Sequence, residues 1–414
     1  MSYRIRALSF LERNLIARPL WALTNFRRLV FKSVDFVWPK DNDLLVFSGH
    51  LGQKFSDNSK YLFQKFVKHY STEFRIVWIT CNKSLVETIN PNQSKDFQVV
   101  YQYSLAGILT LLRAKVVFYV MGEADIPFAA FSQKTVTIQL WHGVPIKRID
   151  NPGTDTDTLR SLLARFLKLS QYTYWISCSA IDRNATALCA GLPIDRVLIT
   201  GYPRNDYLIE HKGTPSSEIL DRFPYLQKKI ILYAPTWREK TRVRFFPFDD
   251  FSIEEINTFL EVNDAYLLLR GHWSDDIYAE NGKIRYEFLT QGRIIAATHD
   301  VFEDVQELLP CVDILISDYS GIWVDYLLLD RPLIFVPYDL EEYEKERGLL
   351  YNYYQITPGP KVSTNKELIE AMQEYILNPE KDSEKRAYIK KVFHEYEDGL
   401  AYKRIYEVIK KCRN

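Results

Sequence analysis

Two of the seven histidines and one Ser-Gly turn stand directly after apolar runs that are typical of buried strands. His142 and His272 each follow such a run, one in each half of the chain. Ser320 and Gly321 follow a third run and precede a helical pattern, so they offer a hydroxyl and backbone N–H groups at a helix N-terminus, which suits a phosphate. Either histidine alone is equally well explained as a core residue. Two histidines beside one interdomain cleft indicate chemistry, because substrates bind in such clefts.

The stretch 313–338 predicts the strand, helix and strand that position the Ser-Gly turn. Its first part, 313–317, is a β-branched run of strand length, and aromatic and apolar residues recur at helical spacing after the turn. Pro332 ends the helix, because proline cannot continue it. The run 333–336 is again strand-like. The turn therefore lies at the carboxyl end of a strand, where parallel sheets bind their ligands.

Strand-like runs alternate with helical segments along most of the chain, which predicts parallel sheets covered on both faces. The predicted strands are 43–47, 75–79, 115–120, 135–140, 174–177 and 196–199, followed after a polar stretch by 229–234, 265–269, 292–296, 312–317 and 333–336. We therefore predict an α/β protein with two Rossmann-like, doubly wound domains. The predicted boundaries are an N-terminal segment 1–40, a first domain 41–210, a linker 211–228, a second domain 229–385 and a C-terminal helix 386–414.

Composition excludes several classes of protein. A chain of 414 residues is long enough for two domains with separate cores. The 53 basic and 53 acidic residues balance, so no overall field favours nucleic acid. The five cysteines are scattered and lack CxxC spacing, which argues against a disulfide framework and a zinc site and fits a reducing cytosol. No apolar run is long enough to span a membrane, and early charges argue against a cleavable signal.

The N-terminal segment 1–40 departs from this balance. It carries eight basic side chains against two acidic ones, with apolar residues between them at roughly helical spacing. A basic amphipathic helix of this kind can lie on an anionic leaflet. The alternative is a helix that packs on the first domain with its arginines in solvent. The density of the cluster in a neutral chain favours the membrane surface.

A set of motifs in register resembles the CDP-glycerol glycerophosphotransferase family, whose members build or prime teichoic acids and related glycerol-phosphate or ribitol-phosphate polymers. The motifs are GHLGQKFSDNSKYLF, WHGVPIKRI, GYPRNDYL, YAPTWRE, LRGHW and DILISDYSGIWVDYLLLDRPLIFVPYDLEEY, and they run in order from about 45 to 355. The chain departs from the family pattern at three places. Val144 stands where Thr or Ala is usual, Gly271-His272-Trp273 replaces Met-His-Pro, and Gly321 replaces a second Ser.

The resemblance implies a GT-B architecture with the acceptor on the N-terminal domain and the donor on the C-terminal domain. An acceptor hydroxyl would attack the β-phosphorus of CDP-glycerol and release CMP. His142 would act as the base, with an unperturbed pKa near 6.5. His272, assisted by Arg270, would share charge with the diphosphate, and Ser320 with Gly321 would complete that cradle. The other substrate-binding residues implied are Gly143, Lys147, Arg204, Arg238 and Asp318. Asp325 receives no role, because an Asp there is more often a helix cap.

The resemblance also implies the partners. The donor is CDP-glycerol, with CDP-ribitol as the alternative, and the acceptor is a glycan linked to a polyprenyl diphosphate at the cytoplasmic face of the membrane. No cofactor, nucleic acid or structural metal is expected, although a loosely held Mg²⁺ is compatible with the sequence. A nucleotide-sugar glycosyltransferase and a UDP-sugar 2-epimerase share the architecture and stay open. A non-catalytic scaffold is disfavoured by the joint presence of both histidines and the Ser-Gly turn.

Overall fold

The structure of the protein is a computed structural model, which describes residues 23–89, 94–148, 172–238, 243–271 and 289–413. Two parallel β-sheets dominate these residues. The N-terminal domain contains the larger sheet and the C-terminal domain contains the smaller one. The α/β class and the parallel sheets predicted from the alternating pattern are confirmed.

The larger sheet has seven strands in the order β3-β2-β1-β4-β5-β6-β7. Their bounds are β1 Asp41–Phe47, β2 Arg75–Thr80, β3 Gln98–Tyr101, β4 Ala114–Tyr119, β5 Val136–Gln139, β6 Tyr174–Ser177 and β7 Val197–Ile199. Leu45 and Phe47 of β1 pack in one core cluster, while Leu44 and Val46 pack in another on the opposite face. This arrangement explains why the strand is a continuous apolar run, since both of its faces are covered.

The smaller sheet has five strands in the order β10-β9-β8-β11-β12. Their bounds are β8 Lys229–Tyr233, β9 Ala265–Leu269, β10 Ile294–Ala296, β11 Ile314–Ser317 and β12 Leu333–Phe335. The sequence-predicted strands match these elements to within a few residues, and only β3 was not predicted. β3 is a short edge strand with exposed or half-buried side chains, so it lacks the strong apolar signal of the central strands.

Helices connect the strands and form the carboxyl-terminal part of the chain. The helices in chain order are α1 over 23–37, α2 Asp57–Tyr70, α3 Lys83–Ile89, α4 Leu105–Arg113, α5 Ala180–Ala190, α6 Pro203–Glu210, α7 Ser217–Arg222, α8 Ile253–Val262, α9 Val305–Leu308, α10 Ile322–Tyr326, α11 Leu340–Glu346, α12 Tyr353–Ile356, α13 Asn365–Leu377, α14 Ser383–Phe393 and α15 Ala401–Arg413. The predicted linker 211–228 is not a plain connection, because it contains α7, which Ser216 caps at its N-terminus.

The last helix returns to the N-terminal domain. The predicted single helix 386–414 is two helices, α14 and α15, separated by residues 394–400. Asp206 of α6 accepts hydrogen bonds from the backbone N–H groups of Ala401 at 3.1 Å and Tyr402 at 3.2 Å, at the start of α15. Tyr406 stacks on Tyr70 of α2 with ring centroids 4.1 Å apart. The chain therefore passes between the domains twice. After the second passage, α15 packs on α2 and α6 of the N-terminal domain.

Helix α1 packs on the N-terminal domain along one side only. Arg28 pairs with Glu123, and the buried carboxylate of Asp35 accepts from the backbone and hydroxyl of Ser132. The other side exposes a row of apolar side chains, namely Leu23, Phe26, Leu29, Val30, Phe36 and Val37. Residues 1–22 of the predicted N-terminal segment lie outside the described residues. Within the described residues, no helix is long and apolar enough to cross a bilayer.

Replacing Asp206 by Ala tests the anchoring of α15. The substitution leaves two buried N–H groups at the start of the helix without their acceptor, so we expect a loss of about 1–3 kcal/mol in the free energy of unfolding. Denaturant titration monitored by circular dichroism measures it. Asp195→Ala, at an exposed position, serves as the control and should stay within about 0.5 kcal/mol of the parent. Equal stability of the two variants would contradict the anchoring role.

Candidate active site

A cleft of about 400 Å³ lies between the two domains. The residues that follow β5 and β7 line one wall, and those that follow β8, β9 and β11 line the other. Seven of the ten sequence-predicted site residues lie on it: His142, Gly143, Lys147, Arg204, Arg270, Ser320 and Gly321. His272 lies outside the described residues. Arg238 and Asp318 lie behind the wall, as detailed below.

His142 is presented by a strained backbone turn after β5. Trp141 has a φ of +54°, a conformation that bulky residues rarely adopt and that costs on the order of 1–3 kcal/mol. The buried side chain of Asn58 holds the turn, because its amide donates to the carbonyls of Leu140 at 3.0 Å and Trp141 at 2.9 Å. The Trp141 and His142 rings pack with centroids 4.0 Å apart. The imidazole is thus held by its turn and by its contact with the Trp141 ring.

The surroundings of His142 favour the neutral imidazole. Burial lowers the pKa of His142 to about 4, and the positive charges of Arg204 and Lys147 act in the same direction. The carboxylate of Asp57 opposes this shift. Nδ1 of the ring is buried and has no hydrogen-bond partner among the described residues. The pKa near 6.5 assumed from the sequence is therefore too high for this environment.

Arg204 joins the two domains inside the cleft. Its guanidinium pairs with Asp57 of α2 at 3.1 Å and with Asp325 of α10, which belongs to the C-terminal domain. All three side chains are at least four-fifths buried, and both carboxylates raise the pKa of Arg204 above its usual range. Arg204 was predicted to contact phosphate. In the structure its two terminal nitrogens each bind a carboxylate, and the contact with phosphate stays a prediction.

Two glycines permit the close approach of the walls. A Cβ on Gly143, whose φ is +125°, would collide with the guanidinium of Arg204. A Cβ on Gly321 would lie 2.8 Å from the carbonyl oxygen of Val144, across the domain boundary. The turn that carries Ser320 therefore meets the turn that carries His142 backbone to backbone. Larger residues at either position require the walls to move apart.

The Ser-Gly turn rests on a buried polar network. Asp318 accepts from the backbone N–H and hydroxyl of Thr236, at 2.7 and 2.5 Å, and from Arg238 at 3.0 Å. Arg238 also forms a two-point pair with Asp339, at 2.8 and 2.9 Å, and lies about 5 Å from the ring centroid of Tyr319. Arg238 and Asp318 were predicted to bind substrate. They instead hold the turn from behind, since their charged groups satisfy one another.

Arg270 supports the next loop of the C-terminal wall. Its Nη1 donates to the carbonyls of Ala297 at 3.0 Å and Phe302 at 2.8 Å, and Nη2 lies 3.0 Å from Nδ1 of His299. A guanidinium only donates, so Nδ1 of His299 is the acceptor and its proton resides on Nε2. Arg270 and His299 both line the cleft, and the phosphate contact of Arg270 stays a prediction.

A short backbone pairing closes one end of the cleft. Lys147 and Leu349 form an antiparallel bridge, with hydrogen bonds from Arg148 N to Gly348 O at 3.2 Å and from Leu350 N to Ile146 O at 2.9 Å. These residues come from opposite domains. At the other end Lys60 and Tyr61 of α2 contact Asp304, at 3.4 and 2.9 Å. The two domains are therefore held together on both sides of the cleft.

Sequence reasoning gave no role to several residues that line the cleft, among them Trp141, His299, Gln306 and Asp325. Asp325 was set aside as a helix cap, but it lies inside α10, one turn past Ser320, and faces the cleft. The short distance in sequence between Asp325 and the Ser-Gly turn could have indicated that Asp325 lies at the cleft. His299 and Gln306 follow β10, which is short, and no motif marks them. Within the described residues, no three His, Cys, Asp or Glu side chains converge as metal ligands. The absence of a resident metal stays a prediction.

Comparison with known proteins gives a consistent family. The family model described as CDP-Glycerol:Poly(glycerophosphate) glycerophosphotransferase matches residues 30–411. A teichoic acid glycerol-phosphate transferase of Staphylococcus aureus is 30% identical over 395 residues, which are 90% of this chain and 94% of that protein. A teichoic acid poly(glycerol phosphate) polymerase of Bacillus spizizenii is 29% identical, covering 84% of this chain and 88% of that protein.

Ribitol enzymes and a solved structure are also similar. A teichoic acid ribitol-phosphate primase of Bacillus spizizenii is 23% identical, over 92% of this chain and 94% of that protein. The structure of the wall teichoic acid polymerase TagF superposes with a TM-score of 0.74 at 24% identity, covering all of this chain and 98% of that chain. This likeness bears on the fold alone, and it agrees with the GT-B arrangement predicted from the sequence.

Replacing Arg204 by Gln tests its role in holding the two domains together. The variant leaves two buried carboxylates unpaired, so we expect the free energy of unfolding to fall by about 3–5 kcal/mol. Thermal and denaturant unfolding measure this change. Arg244→Gln, at an exposed position outside this cleft, is the matched control. An Arg204→Gln protein of parental stability would show that the carboxylates do not depend on the arginine.

Proposed function

Since the chain belongs to the CDP-glycerol:poly(glycerophosphate) glycerophosphotransferase family, we propose that its cleft transfers glycerol phosphate from CDP-glycerol to a polyprenyl-diphosphate-linked glycan. Glycerol-phosphate transfer in teichoic acid synthesis is the activity that the names of two of its relatives give. The polyprenyl anchor of the acceptor and the roles of individual residues are the new parts of this proposal.

One observation carries the proposal for the site. His142 stands on one wall of the cleft and the Ser320-Gly321 turn on the other, and the two turns approach each other within the same 400 Å³. A base and a phosphate-binding turn on opposite walls are what an in-line displacement at phosphorus requires. The fixed backbone on both sides supports a defined separation between them.

The reaction then proceeds by a single displacement. The acceptor hydroxyl attacks the β-phosphorus of the donor and its proton passes to His142. A new P–O bond forms to the acceptor, and the P–O bond to CMP breaks. The hydroxyl of Ser320 and the backbone N–H of Gly321 stabilise the charge on the phosphates, together with His272. Gly143 and Lys147 line the acceptor wall of the cleft.

The low pKa of His142 suits this role once substrates are bound. Because burial lowers its pKa, the imidazole is neutral at physiological pH and can accept a proton. The negative charges of a bound diphosphate raise its pKa toward the working pH, because nearby anions stabilise the imidazolium. A base whose pKa lies near the working pH transfers protons most efficiently.

CDP-ribitol is the second candidate donor, because relatives of nearly the same length as this chain act in ribitol-phosphate transfer by name. Incubating the purified chain with CDP-glycerol, CDP-ribitol and UDP-sugars and measuring the nucleotide released separates the candidates. We expect release of CMP from CDP-glycerol in the presence of an acceptor. Release of UDP from a nucleotide sugar would overturn the proposal in favour of a glycosyltransferase.

Docking on an anionic membrane at its cytoplasmic face is the second part of the proposal. The exposed side of α1 presents Phe26, Val30 and Phe36 to solvent, and Arg27 lies beside them. Its opposite side is fixed to the N-terminal domain through Phe31 and Asp35. An apolar row flanked by basic residues on an anchored helix suits insertion at the headgroup level. Such a surface brings the cleft to a lipid-linked acceptor.

Replacing His142 by Ala tests the base. We expect transfer to fall by roughly 10²–10⁴-fold, the usual contribution of acid–base catalysis, while calorimetric affinity for CDP-glycerol changes little. The parent kcat/KM for free enzyme should rise as pH increases through about 4, where the imidazole loses its proton, and then stay level toward neutrality. The variant should lack this rise.

His211→Ala provides the control, because His211 packs on Tyr207 outside the cleft. It should retain the parental rate and pH profile. Parental turnover in His142→Ala, or loss of donor affinity in parallel with turnover, would contradict the assignment of the base.

Replacing Phe26 and Phe36 by Glu tests membrane docking without disturbing the packed side of α1. Both side chains are more than half exposed, so folding should be unaffected. We expect the double variant to lose sedimentation with acidic phospholipid vesicles, because charged residues do not enter the apolar layer. High salt should release the parent in part, since screening weakens the attraction of its basic residues.

Tyr388→Glu is the matched control, because Tyr388 is equally exposed on α14. It should sediment like the parent. If the double variant of α1 sediments as well as Tyr388→Glu, this face of α1 is not the docking surface.

A further inference from the structure

Two buried acceptor atoms on the C-terminal wall of the cleft have no hydrogen-bond partner among the described residues. They are Oδ1 of Asp325 and Oε1 of Gln306. The two residues are 0% and 2% exposed, and both line the cleft. A buried acceptor without a partner costs on the order of 1–3 kcal/mol, and more when it is charged. A ligand that brings donor groups into the cleft would supply the missing partners.

The orientation of both groups follows from their other contacts. Asp325 Oδ2 accepts from Arg204 and from Nε2 of Gln306, the latter at 3.1 Å. Because a carboxylate only accepts, the amide nitrogen of Gln306 must face it, and Oε1 is the acceptor that remains. The backbone of Gln306 is fixed as well, since its N–H donates to Asp304 at 3.0 Å. The pair therefore presents two acceptors in a fixed geometry.

The position of the pair relates it to the donor phosphates. Asp325 lies in α10, which begins directly after the Ser320-Gly321 turn. A group joined to the phosphate held by that turn would extend next to Asp325 and Gln306. Positively charged Arg204, already bonded to Asp325, disfavours a cation at this place. Hydroxyl groups, which donate without carrying charge, are the chemistry that fits.

We propose that Asp325 Oδ1 and Gln306 Oε1 bind the polyol of the donor by accepting hydrogen bonds from its free hydroxyl groups. This inference rests on the proposed function, in which the donor is CDP-glycerol. Glycerol esterified to phosphate has two free hydroxyl groups, one for each of these two acceptor atoms. Asp325 and Gln306 are thus specificity-determining residues, which distinguish a polyol from a simple alkyl group and orient the β-phosphorus for attack.

The test compares two ligands of equal charge. CDP-glycerol carries the polyol, whereas the methyl ester of CDP carries the same phosphates and no free hydroxyl on that side. Calorimetry gives both dissociation constants for the parent, Asp325→Asn, Gln306→Met and the control Asn365→Ala. Asn365 is a buried amide with an unpartnered oxygen on α13, away from the cleft. The ratio of the two constants reports on the polyol even if a variant is partly unfolded.

We expect the parent to prefer CDP-glycerol. The preference should fall about tenfold to hundredfold in Asp325→Asn, which removes a charged acceptor, and about twofold to tenfold in Gln306→Met. Asn365→Ala should keep the parental ratio. Equal binding of both ligands by the parent, or parental ratios in both cleft variants, would overturn this inference alone. If the parent binds neither ligand, the proposed function fails and the inference fails with it.

Discussion

The ionic contact of Arg204 with Asp57 and Asp325 is the interaction on which the cleft depends. It places one guanidinium between carboxylates of two domains, in a region from which water is largely excluded. Burial makes such a cluster costly to assemble and still more costly to leave incomplete, because any missing partner leaves an uncompensated charge. The relative position of the two walls is therefore fixed by charge as well as by packing. This affects His142 and the Ser320-Gly321 turn, since Gly143 next to His142 lies against Arg204 and Gly321 is four residues before Asp325.

Two arginines of the C-terminal domain also bind groups of the protein itself. Arg238 faces two carboxylates and three tyrosine rings, and Arg270 faces carbonyls and an imidazole. Their guanidinium groups stiffen the loops that follow β8 and β9. Stiff loops keep backbone N–H groups and small side chains in place before a ligand arrives, which is the condition for electrostatic stabilisation without rearrangement. In this domain Arg238 and Arg270 support the loops, while Asp325 and the Ser320-Gly321 turn line the cleft.

Much of this arrangement could be predicted from the sequence. Continuous apolar runs predicted the central strands, because both faces of the sheets are buried. The polar residues that follow the strands of each domain predicted one wall of the cleft. The edge strand β3 escaped prediction because its side chains are only half buried. The roles of Arg204, Arg238 and Asp318 could not be predicted, because an arginine beside a phosphate and an arginine beside a buried carboxylate look alike in a sequence. The two cases differ only in which residues lie close in space, and here the bound carboxylates are 80 to 147 positions away in the chain.

The contact between Val144 and Gly321 has a consequence for how this surface can change over generations. It is made by a carbonyl oxygen on one side and a bare α-carbon on the other. Position 144 contributes its main chain to that contact, while its side chain packs in the core of the protein. At position 321 an added Cβ would meet the facing carbonyl, so a larger residue there requires the two turns to separate. Substitution is thus constrained by core packing on one side of the boundary and by the distance between two main chains on the other.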